Sequence, residues 1–189
     1  MRTSPPMPGE SVAERRIQSM IRVDHAGEYG AVQIYRGQRA VFDRIEGRTH
    51  AARVIAEMEA GEAEHLRTFD RMIAERGVRP TIMAPVWRVA GFGLGAITAL
   101  MGERAAHACT EAVEDVIEDH YARQSQTLES KEGRNDPELK EVIDRFREDE
   151  IGHKQTAIDQ GARQAPGYSV LSALIKIGCR AAIRISEKI

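Results

Sequence analysis

Cysteine is scarce in this chain of 189 residues: only Cys109 and Cys179 occur, too few for a disulfide framework, and a reducing compartment fits them. Aromatic residues make up 5% of the sequence, and no segment alternates for long as a half-buried strand would, which argues against a sheet protein. Charge of one sign is also lacking. A formal net charge of -2 creates no basic field for nucleic acid. The first nine residues, MRTSPPMPG, hold three prolines and no apolar run, so they do not read as a secretory signal; residues 1–9 are expected to be a disordered lead-in. No Gly-rich dinucleotide fingerprint follows a strand pattern anywhere.

What is present is apolar residues three and four apart over long stretches, the period of helices. The pattern predicts a first helix from Ser11 to about Phe42 and, after a turn near Gly47, a second from about Thr49 to Arg76, stopped by Gly77 and Pro80. Val89 to Met101 carries no charge. A third long helix is expected from Glu103 to about Leu128, then a polar turn over Ser130 to Asn135. Pro137 is well placed to open a fourth long helix, running to about Gln160. A last helix is expected over Tyr168 to Glu187. The fold class is therefore all-α: a ferritin-like four-helix bundle with two additional helices, one short and apolar, one C-terminal and amphipathic. One domain is expected over residues 10–189: a hairpin at 11–76, an apolar segment at 81–102, a second hairpin at 103–160 and the C-terminal helix at 168–187.

Glu-x-x-His occurs twice, as Glu62 to His65 and as Glu150 to His153, and on a helix such a pair lies on one face where both side chains can reach one metal. Alone the motif is weak. Hairpin register strengthens it. The midpoint of 28 and 62 falls at 45, beside Gly47, and the midpoint of 114 and 150 falls at 132, beside Gly133. Glu28 should therefore stand level with Glu62, and Glu114 with Glu150, each on the order of 25 Å from its turn at 1.5 Å per residue. Each hairpin then supplies one lone Glu and one Glu-x-x-His at the same height. Four carboxylates on apolar stripes are costly to bury without compensating charge. Two cations supply it, and a carboxylate-rich set with two imidazoles suits iron or manganese. The candidate ligands are Glu28, Glu62, His65, Glu114, Glu150 and His153. Asp149 and Asp24 are candidates to orient a ligand histidine through its second nitrogen. Tyr35 and Tyr121, each two turns after a lone Glu, are candidates to line a substrate cavity, with simple packing as the plainer reading. His25, His50, His107 and His120 complete no matching pair and are left out of the ligand set.

The strings Ile21-Arg22-Val23-Asp24-His25-Ala26-Gly27-Glu28-Tyr29-Gly30-Ala31, Ala108-Cys109-Thr110-Glu111-Ala112-Val113-Glu114 and Gly178-Cys179-Arg180-Ala181-Ala182-Ile183 resemble the demethoxyubiquinone hydroxylase family. Arg79-Pro80-Thr81 and Gly91 to Ala96 resemble it too, so the likeness runs from about Ile17 to the C-terminus, and all six ligand positions hold the expected residue types. That resemblance implies O2-dependent hydroxylation of the ring of a polyprenyl demethoxy-benzoquinol in ubiquinone biosynthesis, by two Fe ions per chain through a peroxo intermediate. It implies NADH as an electron source, which no motif of this chain supports independently. Other quinone-biosynthesis proteins and a homo-oligomer are left open as partners.

So apolar a substrate should be met at a bilayer. Val89 to Met101 is too short to span one, for which about 20 residues are needed; burial in a core is its alternative reading. In the last helix Lys176, Arg180, Arg184 and Lys188 recur every four residues, with Leu171, Leu174, Ile175, Gly178, Ala182 and Ile185 covering the other side. A basic amphipathic helix suits the headgroup zone of an anionic leaflet. The expected location is peripheral, on the cytoplasmic face of a bacterial inner membrane or, alternatively, the matrix face of the mitochondrial one. Competing functions are a ferritin-like iron oxidase or store, a peroxide-consuming di-manganese or rubrerythrin-like enzyme, the latter normally adding a Cys-rich iron site that two separated cysteines cannot build, and a non-catalytic scaffold.

Overall fold

The computed structural model describes residues 11–130 and 136–189; the expected lead-in at 1–9 and most of the polar turn at 130–135 lie outside them. The described residues form six α-helices and one 3-10 turn, and no strand: α1 (Val12–Phe42), α2 (Thr49–Arg76), α3 (Ala84–Leu100), α4 (Glu103–Glu129), α5 (Pro137–Asp159), the turn Ala162–Gln164 and α6 (Tyr168–Ser186). Among the described residues the fold is all-helical.

Local chemistry sets the ends. Ser11 closes a capping box on α1, its hydroxyl accepting from the Glu14 amide at 3.1 Å while the Glu14 carboxylate accepts from the Ser11 amide at 2.8 Å. Gly77, at φ 63°, takes the left-handed conformation that ends α2. Asp136 caps α5 by accepting from the Leu139 amide at 3.0 Å, with Pro137 at the first helical position. α3 starts at Ala84 rather than with the uncharged run at Val89, because Pro85 favours a helix start and neither Trp87 nor Arg88 interrupts one.

The hairpins α1–α2 and α4–α5 build the bundle. Two apolar clusters fill it. One gathers Ile21, Phe69, Met72, Tyr121, Leu139, Ile143 and Phe146, the other Tyr35, Phe42, Val54, Ile55, Met58 and Ala106. On α1, α2 and α4 the candidate ligands fall between the positions that feed one cluster and those that feed the other, and on α5 Glu150 and His153 follow the positions that feed the first, so an apolar layer lies to either side of mid-bundle.

α3 lies against α1 with almost no side-chain spacing. A Cβ on Gly95 would fall 1.9 Å from the Ile34 carbonyl oxygen, and one on Gly37 would fall 2.1 Å from that of Phe92, so only glycine admits this backbone approach. α6 covers α4, packing Leu171, Ile175 and Cys179 against Cys109, Ala112 and Val113. Trp87 Nε1 donates to Ser186 Oγ at 3.0 Å and brings the start of α3 to the end of α6.

Both added helices keep apolar side chains outside: Ile82, just before α3, then Val86, Val89, Phe92, Ile97 and Leu100 on α3, and Val170, Leu174, Ile177 and Ile185 on α6. The expected single apolar side of α6 is thus divided. Leu171 and Ile175 face the bundle while Leu174 and Ile177 face outward, because docking on α4 uses only a narrow stripe of the helix. Lys176 is drawn inward too, donating to Asp115 Oδ2 at 2.7 Å, whereas Arg180, Arg184 and Lys188 are exposed. No helix of the described residues is long and apolar enough to cross a membrane.

Candidate metal centre

All six predicted ligands meet at mid-bundle. Ligand atoms from Glu28, Glu62, His65 and Glu150 lie within 4.8 Å of one another, and so do those from Glu62, Glu114, Glu150 and His153. Glu62 and Glu150, the carboxylates of the two Glu-x-x-His motifs, belong to both groups. His65 Nδ1 stands 3.6 Å from Glu28, 3.7 Å from Glu62 and 3.3 Å from Glu150. His153 Nδ1 stands 2.8 Å from Glu62 and 3.6 Å from Glu150.

The four carboxylates are fully buried. Tyr35, from α1, donates its hydroxyl to Oε1 of Glu114 on α4 at 2.6 Å, and Tyr121, from α4, donates to Oε1 of Glu28 on α1. Each lone Glu therefore has one oxygen held by a tyrosine of the other hairpin. The other oxygen of each, both oxygens of Glu62 and Glu150, and Nδ1 of both histidines have no hydrogen-bond partner. Eight buried donor atoms left unpaired on one small space would be prohibitive in a finished interior. They fit two cations: four carboxylate charges balance two divalent ions, and oxygen with imidazole nitrogen suits iron or manganese.

The protonation pattern of the bare cluster shows the same deficit of positive charge. Burial pushes the Glu28 and Glu114 carboxyls well above the usual range, and the neighbouring charges of Glu62 and Glu150 push the same way. Burial also acts upward on Glu62, but contacts with His153 and His65 outweigh it and bring the group down to about 2. Both imidazoles hold protons against the desolvation that disfavours them: Glu150 and Glu62 lift His153 to about 10, and Glu150, Glu28 and Glu62 lift His65 further.

Asp149 Oδ2 accepts from His65 Nε2 at 3.1 Å. That contact turns the other nitrogen, Nδ1, to the cluster. Asp24 does not do the same for either ligand histidine. Its Oδ1 instead accepts from Gln124 at 2.8 Å and sits 3.2 Å from Nε2 of His120. The reason is its level: Asp24 is one turn before Glu28, and that turn of about 5.4 Å carries it past the cluster to the height of His120. His120, left out of the sequence-derived set, is therefore part of a buried polar group. With Gln124, Arg16, Arg123, Met20 and Val23 it borders a cavity of about 640 Å³ beside α1 and α4. No spacing rule could pair Asp24 with His120, since they sit on helices that are neither consecutive nor hairpin partners.

A mainly antiparallel helical bundle with two Glu-x-x-His motifs and two lone glutamates gathered at mid-height defines the ferritin-like carboxylate class. Within it, the family model described as "Ubiquinone biosynthesis protein COQ7" matches residues 15–186, and the chain belongs to that family. It is 46% identical over 183 residues to the 3-demethoxyubiquinol 3-hydroxylase of Rhodospirillum rubrum, an alignment covering 97% of this chain and 83% of the relative. It is 43% identical over 180 residues to the NADPH-dependent 3-demethoxyubiquinone 3-hydroxylase, mitochondrial, of Homo sapiens, covering 95% and 81%. With the 5-demethoxyubiquinone hydroxylase, mitochondrial, of Saccharomyces cerevisiae it shares 39% identity over 184 residues, covering 92% and 78%.

Proposed function

We propose that this protein is an O2-dependent monooxygenase that hydroxylates the ring of a polyprenyl demethoxy-benzoquinol in ubiquinone biosynthesis. Two iron ions would be held by Glu28, Glu62, His65, Glu114, Glu150 and His153. The observation that carries the reading is the set of eight unpaired donor atoms on one enclosed space, in a chain whose relatives are named as hydroxylases of this substrate. The chemistry that a pair of iron ions supplies there when bound is the reductive splitting of O2, one atom entering the ring and the other leaving as water.

The protein's own part is placement. Glu62 and Glu150 belong to both ligand groups and would serve both ions. Tyr35 and Tyr121 hold the outer oxygens of Glu114 and Glu28, which leaves one defined oxygen of each facing inward. Asp149 holds His65 with Nδ1 inward. Apolar layers above and below keep bulk water from the cluster, which strengthens every electrostatic contact inside it.

The substrate's apolar tail suits a bilayer, and the exposed apolar faces of α3 and α6, with Arg180, Arg184 and Lys188 beside them, support peripheral attachment of the protein to a membrane surface. The corresponding location is the cytoplasmic face of a bacterial inner membrane, or the matrix face in a mitochondrion. A reduced nicotinamide nucleotide, NADH or NADPH, is the proposed electron source; the human relative's name specifies NADPH.

The test is to purify the protein with membrane lipid and measure bound iron together with O2-dependent hydroxylation of a demethoxyquinol analogue. About two irons per chain with hydroxylated product is the expected result. Glu114→Gln should abolish product formation, and full activity in that variant would sink the mechanism. Two irons without product would point to an iron oxidase.

A further inference from the structure

On the di-iron reading proposed above, the two halves of the cluster are related by an approximate two-fold. Each hairpin gives a lone Glu, a Glu-x-x-His and a tyrosine seven residues after the lone Glu, and each tyrosine bonds the other hairpin's Glu. Under that relation Gly61 corresponds to Asp149, each just before the motif glutamate, and Met58 corresponds to Phe146, each four residues before it. The symmetry fails at both pairs.

His65 is clamped. Asp149 Oδ2 accepts a hydrogen bond from its Nε2 at 3.1 Å, and the Phe146 ring stacks on the imidazole with centroids 3.9 Å apart and planes 26° from parallel. Its side chain is 4% exposed. His153 is not clamped. Where His65 meets a carboxylate, His153 meets the bare backbone of Gly61, on which a Cβ would stand 3.2 Å from Cε1 and Nε2 of the ring. Its side chain is 18% exposed, and its aromatic contact is a tilted one to His65 with centroids 6.3 Å apart. An imidazole whose outer N–H is bonded to a carboxylate is both a better donor and an already oriented one. One that can turn must lose that freedom when it binds.

We infer that Asp149 makes the two metal positions unequal: Glu28, Glu62, His65 and Glu150 take a divalent ion first, and Glu62, Glu114, Glu150 and His153 take the second more weakly. Asp149 is thus a positioning residue for one position only, and His153 is the movable ligand of the centre.

Two binding steps by themselves would not decide this, because repulsion between two ions separates the steps even in a symmetric site. The variants decide. The metal-free full-length protein is titrated with Co(II), followed by visible absorption, and with Fe(II) under anaerobic equilibrium dialysis. Helical circular dichroism shows that each variant is folded. Asp149→Ala should weaken the first step by about 10- to 100-fold and leave the second unchanged, and Asp149→Asn, which keeps an acceptor for the His65 N–H, should recover most of the loss. His153→Ala should keep the tight step at its original strength, and His65→Ala should lose it. Equal weakening of both steps by Asp149→Ala, or a tight step that survives in His65→Ala and vanishes in His153→Ala, would overturn the assignment while leaving the di-iron reading intact. Folded protein that binds neither ion would instead overturn the di-iron reading.

Discussion

Replacing Gly95 by alanine should separate α3 from α1, and the size of the effect can be worked out from the interface. The added Cβ would lie 1.9 Å from the Ile34 carbonyl oxygen, 2.8 Å from its carbonyl carbon and 3.0 Å from its Cα. All three are backbone atoms of a helix, so no side chain can swing aside. An ordinary contact needs roughly 3.5 Å, so the helices must part by about 1.5 Å at this level. A gap of even 0.5–1 Å already forfeits a quarter to a half of each contact's attraction. The loss falls on the small, buried contacts of Gly91, Gly95, Thr98 and Ala99 along α3. We therefore expect the upper end of the usual overpacking penalty, about 3 kcal/mol. For a protein of this length that lowers the melting temperature by about 6–12 °C, measurable by circular dichroism at 222 nm. Gly93 is the control, since a Cβ there meets nothing within 4 Å. Alanine at 93 should raise stability by about 0.5–1 kcal/mol, the usual helix-interior gain over glycine. Melting of Gly95→Ala within two degrees of the parent, or a lower melting point for Gly93→Ala, would refute the close-approach account.

Leu174→Glu and Val89→Glu remove side chains that are 64% and 70% exposed, so neither should change the melting temperature. If α6 and α3 sit in a lipid surface, each should weaken binding to anionic vesicles by about 10- to 100-fold, from the roughly 1.5–3 kcal/mol that burying such a side chain contributes. Unchanged vesicle sedimentation would remove these helices from the membrane account. Stripped of metal, the protein should lose stability as pH rises from 6 to 9. His153, raised from 6.5 to about 10, contributes stability that is complete below the unfolded value and lost on the way up, and the raised carboxyls of Glu28 and Glu114 act in the same direction. Glu62 acts oppositely, but only as pH falls from 4.5 toward 2. Urea midpoints in EDTA should therefore fall across that range, and a rising midpoint would contradict the cluster's electrostatics. A divalent metal at a fixed concentration of 100 times its dissociation constant at neutral pH should raise the stability of the metal-free protein there by about 2.7 kcal/mol, and at that same concentration the gain should grow with pH, because binding displaces protons and the dissociation constant falls.

The helices and the heights of the six cluster residues follow from the sequence alone. Apolar period, Ser11, Gly77 and Pro137 mark where helices start and stop, because capping and glycine conformation act within a few residues. Equal distance from a hairpin turn then puts Glu28 level with Glu62 and Glu114 level with Glu150, since the rise per residue is constant. Only tertiary structure decided which way each side chain turns and what it meets. The exchange of tyrosines between hairpins, the choice of His120 over a ligand histidine by Asp24, the clamp on His65 beside an unclamped His153, and the divided apolar faces of α6 all depend on the angular setting of one helix against another. That setting comes from side chains interlocking across the whole interface and from backbone approaches such as Gly95 on Ile34. No local period encodes it.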